Sequence, residues 1–336
     1  MRALVTGATG FIGYHVARLL QTKGFSVRAF VRSESDTTFL RDFCELIPGD
    51  VRDSESLSRA MKDCKHVYHV AADYRYWVPD VETIYAINVQ GTINVMKAAL
   101  ESSSVEKIVY TSTAGVITAG ARNNPSNEEN IADFHEMVNH YKKSKFLAEQ
   151  AVYAFIEKGL PVVIVNPTTV IGLFDRKPTP SGQIIVNFLN GKVPAYLDTG
   201  LNFVDVEDVA AGHVLAAELG RVGQRYILGN RNMPLKVFFE CLGKAAKQNA
   251  PKIRLPYFPV LIAAHVSEAL SKWVTHSQPR ILLGSVKMAK KYMYFDSSKA
   301  VKELQMPQSP IETAIEKAMR WYRDHGYIRV RSRCSG

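Results

Sequence analysis

The segment Ala3-Leu4-Val5-Thr6-Gly7-Ala8-Thr9-Gly10-Phe11-Ile12-Gly13 restricts what this chain can fold into more than any other stretch. A short apolar run enters a turn with glycines at 7, 10 and 13, and Val16, Leu19 and Leu20 follow at helical spacing. The pattern predicts a strand, a tight turn and a helix. Gly7 permits the turn, Gly10 lets backbone amides approach an anion, and Gly13 lets the helix lie close to the strand. The start of such a helix offers free N–H groups and a positive dipole end. We read the turn as a pyrophosphate site of a dinucleotide, with Gly7, Thr9, Gly10, Phe11 and Ile12 as the contact residues.

The surrounding chain supplies the sheet that such a turn requires. Strands are predicted at 3–6, 26–31, 46–48, 66–70, 107–111 and 161–167, and helices at 12–23, 54–61, 81–100 and 138–158. This alternation predicts an α/β fold with a Rossmann-type, doubly wound parallel sheet. After Pro167 the rhythm breaks. Pro178, Pro180 and Gly182 read as an irregular loop, followed by helices at 184–190, 235–248, 260–274 and 310–325 and a short strand at 226–228. The expected division is a cofactor domain over 1–170 plus about 203–220. A smaller C-terminal α/β substrate subdomain would cover about 171–202 and 221–325, ahead of a basic tail at 326–336.

Composition sets wider limits. With 336 residues, 46% of them hydrophobic, the chain can bury a full core. Four cysteines without CxxC or CxxH grouping read as reduced thiols, which predicts a cytoplasmic protein with no metal site. The chain opens directly on a strand, so no signal peptide is expected. No nucleic-acid-binding motif is present, and nucleic acid is not an expected partner. The net charge of +10 is compatible with a phosphorylated cofactor, an anionic substrate or an acidic membrane surface. Residues 257–274 are rich in apolar side chains and read either as a core-facing helix or as a surface helix that receives a greasy substrate or makes peripheral membrane contact.

Strand ends define the rest of the cofactor pocket. The second strand ends at Arg32, where an acid would bind the ribose hydroxyls of NAD. A guanidinium there suits a 2′-phosphate, so NADP is the expected cofactor, and neighbouring Glu34 keeps NAD possible. Asp50 is placed to accept from an adenine amino group and Val51 to pack on the ring. Val70, Ala71 and Ala72 let a cofactor lie against the backbone.

Tyr141 and Lys145 are four apart on a predicted helix and share one face. A phenol with a pKa of about 10 needs a nearby cation to act as a base at neutral pH. The fifth strand ends Thr111-Ser112-Thr113, and Thr113 is placed to hydrogen-bond the oxygen that Tyr141 would protonate or deprotonate, with Ser112 as the other hydroxyl available.

These residues resemble the extended short-chain dehydrogenase/reductases. Thr6, Gly7, Gly10 and Gly13 meet T-G-x-x-G-x-x-G, Tyr141 and Lys145 meet Y-x-x-x-K, and the family's hydroxyl falls on Thr113. The runs Ala71–Trp77, His140–Glu149, Val165–Thr169, Lys177–Gly182 and Pro194–Asn202 look like hopanoid-associated sugar epimerases, a group close to dihydroflavonol 4-reductases. One departure is Asp205, where relatives often have histidine. The resemblance implies an NAD(P)-dependent oxidoreductase or epimerase that transfers hydride at a secondary alcohol or ketone. It adds Asn88, Pro167, Thr168 and Thr169 to the cofactor set, with Asn88 as a structural residue near the active site. Asp73, Tyr74, Tyr76, Trp77 and Asn166 are substrate candidates for a sugar, lipid-linked or flavonoid-like molecule. Arg176, Arg225 and Arg231 are available to a substrate pyrophosphate. A reductase that exchanges NADPH and an epimerase that retains NAD both remain open, as does a non-catalytic NADP sensor, although such sensors usually lack the Tyr–Lys pair. The resemblance also implies a homodimer formed by the helices at 81–100 and 138–158.

Overall fold

A computed structural model describes residues 1–328, so Arg329, Arg331, Arg333 and Cys334 of the basic tail lie outside the described residues. Seven strands form the central sheet: β1 (Arg2–Thr6), β2 (Ser26–Val31), β3 (Cys44–Pro48), β4 (His66–His69), β5 (Lys107–Thr111), β6 (Val162–Pro167) and β10 (Arg225–Leu228). Their order is β3-β2-β1-β4-β5-β6-β10, and every pairing is parallel. This is the doubly wound order, with the direction of winding reversing between β1 and β4.

Helices cover both faces. On one side lie α1 (Phe11–Thr22), α7 (Val206–Leu219) and α11 (Ser298–Leu304); on the other lie α2 (Ser54–Met61), α4 (Gly91–Glu101) and α5 (His140–Ile156). Helices α1 and α7 pack on each other: Val16, Ala17 and Leu20 share a buried cluster with Ala210, Val214 and Ala217. The residues predicted as one helix over 81–100 form α3 (Glu82–Tyr85), one π-helical turn (Ala86–Gln90) and α4.

The smaller lobe holds a three-stranded sheet, β11 (Arg231–Pro234), β9 (Gly200–Asp205) and β7 (Thr169–Ile171), and a two-stranded pair, β8 (Ala195–Leu197) with β12 (Ile253–Leu255). Around them pack α6 (Pro180–Leu189), α8 (Leu235–Ala246) and α12 (Ile311–Asp324) over a core in which Phe203 stacks on Phe238 at 4.0 Å. Two further helices, α9 (Tyr257–Leu270) and α10 (Leu283–Met288), form its outer edge.

Three expectations differ from the structure. The sequence groups 221–325 with the smaller lobe, whereas β10 extends the large sheet beside β6 and α11 packs on α7 and β10. Pro178, Pro180 and Gly182 do not make a continuous irregular loop: Thr179 caps α6 and Pro180 opens it, a position where the missing N–H costs nothing. Finally, of the two readings of 257–274, the core-facing helix is the one excluded, because Ala264 is the one buried residue of α9. Among the described residues no helix is long and apolar enough to cross a membrane.

Candidate active site

A cleft of about 1080 Å³ runs across the carboxyl ends of the strands at the β1/β4 switch point. Its floor is the turn after β1. Gly7 adopts φ +74°, where an added Cβ would come within 2.7 Å of the Ala71 nitrogen, and a Cβ on Gly13 would sit 2.1 Å from the Gly7 carbonyl oxygen. Both glycines are therefore required by close backbone approach. The Gly10 amide donates to the Gly7 carbonyl at 2.9 Å. Helix α1 begins after Gly10, which brings no side-chain acceptor to the first-turn amides, and Phe11, Ile12 and Gly13 line the cleft. By contrast, α2, α5 and α6 are capped by Asp53, Asn139 and Thr179. A phosphate pair fits this cradle.

The other strand ends converge on the same cleft. Arg32, Asp50, Val51, Val70, Ala71, Ala72, Pro167, Thr168 and Thr169 all line it. Arg32 is more than half exposed, and its Nε lies 3.4 Å from Glu34. The Asp50 carboxylate already accepts from the Arg52 amide and guanidinium, at 2.7–2.9 Å, so an adenine amino group would share it with Arg52.

A buried relay joins β1, β4 and α4. The Ala71 amide donates to the Thr6 hydroxyl at 3.2 Å, and Thr6 contacts His69 Nδ1 at 2.8 Å. On the other side His69 Nε2 is 3.0 Å from the Thr92 hydroxyl, which donates to the Asn88 carbonyl. Donor counting fixes a neutral ring: Thr6 donates to Nδ1, and Nε2–H donates to Thr92. Burial pushes this histidine down to about 3, consistent with that tautomer.

At the far end, Asn139 accepts from the Lys142 amide and starts α5, bringing Tyr141 and Lys145 into the cleft with Thr113. Burial pushes the Tyr141 phenol well above its ordinary value; neighbouring Tyr76 adds to this and the Thr113 hydroxyl opposes it. Burial pushes Lys145 down to about 7, and its Nζ donates to the Thr111 carbonyl at 2.7 Å and lies 4.5 Å over the Tyr110 ring. Lys145 thus reaches the cleft tied to the Thr111 carbonyl rather than bonded to Tyr141. Ser112 also lines the cleft, and its buried hydroxyl has no hydrogen-bond partner among the described residues.

The substrate candidates divide. Asp73, Tyr74 and Tyr76 line the cleft, with Tyr76 and Tyr141 ring centres 5.9 Å apart. Trp77 is half-buried and is not part of the lining. Asn88 and Asn166 stand behind the cleft wall. Asn88, in the π-helical turn, accepts from the Asp73 amide at 2.7 Å and donates to the Ser144 hydroxyl at 2.8 Å, so it fixes the post-β4 loop to α5 and does not itself line the cleft. Asn166 is fully buried and donates to the Thr113 carbonyl and to Glu149. Arg225 pairs with Glu149 at 2.6 Å in the interior, and Arg231 pairs with Glu312 on the surface, so neither faces a substrate. Arg176 does line the cleft, paired with Asp36 and stacked 4.0 Å over Phe39.

Sequence reasoning missed the apolar end of the cleft. Ile184, Leu201, Leu235, Met288, Met293 and Phe295 line it, drawn from five separate segments of the smaller lobe.

A doubly wound sheet with a glycine cradle at its switch point and a tyrosine, lysine and threonine at the other end of one cleft defines a Rossmann-fold dinucleotide protein. The signature of the NAD dependent epimerase/dehydratase family matches residues 3–229, and the chain belongs to that family, within the extended short-chain dehydrogenase/reductases. It is 39% identical over 331 residues, 97% of this chain and 96% of the relative, to a Synechocystis sp. protein that carries the provisional name dihydroflavonol 4-reductase. It is 29% identical over 330 residues, 98% of this chain and 100% of the relative, to sterol demethylase protein B of Methylococcus capsulatus. Among solved structures, the crystal structure of gox2253 superposes with a TM-score of 0.87 at 43% identity, covering 97% of this chain and 99% of that one. The chain is therefore an NAD(P)-dependent oxidoreductase or epimerase that uses a nicotinamide dinucleotide.

Proposed function

We propose that this protein is an NADP(H)-dependent reductase of ring ketones, and in reverse a dehydrogenase of the corresponding secondary alcohols, working on a largely apolar substrate. The observation that carries the reading is the convergence of Thr113, Tyr141 and Lys145 with the glycine cradle in one cleft. A bound nicotinamide supplies or accepts hydride at C4. In the reducing direction the Tyr141 phenol donates its proton to the carbonyl oxygen as hydride reaches the carbonyl carbon, and Thr113 holds that oxygen by a hydrogen bond. Lys145, when protonated, supplies a positive charge that favours the phenolate left behind. Arg32, exposed at the cleft rim, supports a 2′-phosphate and hence NADP over NAD. The six apolar lining residues favour a multi-ring substrate over a nucleotide sugar. We further propose a cytoplasmic homodimer formed through the helical segment from α3 to α4 and through α5, checked by sedimentation velocity, with a monomer at micromolar concentration opposing it.

The test is NADPH oxidation, followed by loss of reduced-nicotinamide absorbance, against a panel of sterol-like, flavonoid-like and sugar ketones. Turnover with ring ketones supports the reading. Tightly retained NAD in the purified protein, with inversion of a sugar carbinol and no net cofactor oxidation, would replace it with the epimerase.

A further inference from the structure

We propose that α9 is a docking surface for an anionic phospholipid bilayer and that it sets the apolar end of the cleft at the lipid. Phe258, Ile262, Val266 and Leu270 recur every four residues along α9, and Trp273 and Val274 continue the stripe. Phe258 and Trp273 are each 73% exposed, Ile262 is 65% exposed, and the other three are at least half exposed. So large a contiguous apolar stripe in water marks an interaction surface. At 14 residues the helix is about 21 Å long, short of a bilayer's hydrocarbon core, so it would lie in the interface and not span it.

Charge selects the occupant. Lys252, Lys272, Arg280, Lys287 and Lys290 lie on or next to this stretch of sequence, are exposed, and form no ion pair among the described residues. Between residues 252 and 291 the chain carries one carboxylate, Glu268. A second copy of this chain docked across a two-fold axis would set these cations against themselves, whereas anionic headgroups would neutralise them while the stripe enters the acyl boundary. Aromatic Trp273, with Lys272 over its ring at 5.1 Å, suits the headgroup level.

Helix α9 is linked to the cleft through α10. Helix α10 packs on α9, and Ser285, Met288 and Ala289 of that segment line the apolar end. A substrate dissolved in the bilayer, an amphiphile with an apolar ring system and one carbonyl or hydroxyl, would enter from this side. That substrate class rests on the hydride-transfer reading; the docking itself does not.

The experiment is flotation of the full-length protein with vesicles of phosphatidylcholine alone and of phosphatidylcholine with phosphatidylglycerol, alongside NADPH titration of the same samples. The expected result is flotation with the anionic vesicles, weakened by salt, and reduced about tenfold or more in Phe258→Glu/Trp273→Glu with NADPH affinity unchanged. Absence of flotation with anionic vesicles overturns the proposal, as does equal flotation of the variant or equal binding to both vesicle types. Sedimentation velocity in which the variant breaks up an oligomer while the native protein ignores vesicles would reassign the stripe to a second copy. Failure to bind NADPH would strike the hydride-transfer reading and leave the docking result standing.

Discussion

Replacing Gly13 with alanine tests whether the glycine cradle is built as described. The new Cβ would lie 2.1 Å from the Gly7 oxygen and 2.6 Å from its carbonyl carbon, where ordinary contact begins at 3.4 Å. Both obstructing atoms are backbone, so no rotamer change relieves the clash, and the start of α1 must withdraw from the turn by about 1.3 Å. Overpacking of this kind costs about 1–3 kcal/mol, which in a chain of 336 residues lowers Tm by about 1.5–4 °C. The same withdrawal carries the first-turn amides beyond hydrogen-bonding range of a phosphate, and losing two such bonds, each about 1.5–3 kcal/mol, weakens cofactor binding by more than about a hundredfold. Gly10→Ala is the control for stability: its Cβ meets the same oxygen at 3.2 Å, which a shift of a few tenths of an ångström relieves, so its Tm should stay within about 1 °C of the native value. Thermal unfolding without cofactor and titration of NADPH fluorescence read the two effects. A Gly13→Ala protein with native Tm and native NADPH affinity, or a Gly10→Ala protein that is the less stable of the two, would refute the reasoning.

Arg32→Asp should weaken NADPH binding by about 10–100-fold and improve NADH relative to it, because a charge-assisted pair with the 2′-phosphate becomes a repulsion; competition titrations of the two cofactors check this. Glu149→Ala leaves Arg225 buried without its carboxylate and should cost about 3–5 kcal/mol in urea unfolding, whereas Glu149→Met combined with Arg225→Met should recover most of it. Acid should destabilise the fold through His69 and His213, which burial pushes from 6.5 to about 3 and about 4. Both bind protons more readily when unfolded, so their contribution is intact above pH 6.5 and is lost as pH falls from there towards the folded values; His69→Gln should flatten that part of a Tm-against-pH curve.

The cofactor half was legible because its signals are local. Glycine spacing, a strand's apolar run and an i,i+4 pair each lie within a dozen residues, and the turn, Arg32, Tyr141 and Lys145 all reach the cleft. What was not legible depends on direction or on distant partners. Asn88 and Asn166 were picked out by identity, yet a π-helical turn and a buried strand aim their amides at Asp73, Ser144 and Glu149, behind the wall. Arg225 reads as a cation available to a substrate pyrophosphate until Glu149, 76 positions earlier, is placed beside it. The strand at 225–228 is apparent, but parallel pairing with β6 leaves no local mark, so its membership of the large sheet went unseen. For α9 the apolar content is the same for a core helix and an interfacial one, and only the neighbours decide.

The central claim is that Tyr141 moves the proton while hydride crosses between nicotinamide C4 and a ring carbon. It is tested most directly with NADPH carrying deuterium at the transferred C4 position and the best ketone of the panel, with the product analysed by mass spectrometry in the native protein and in Tyr141→Phe. The account predicts deuterium on the product's carbinol carbon, a rate at least about a thousandfold lower in Tyr141→Phe, and an unchanged affinity for NADPH. Product formed by Tyr141→Phe at the native rate, or product without deuterium at that carbon, would contradict it.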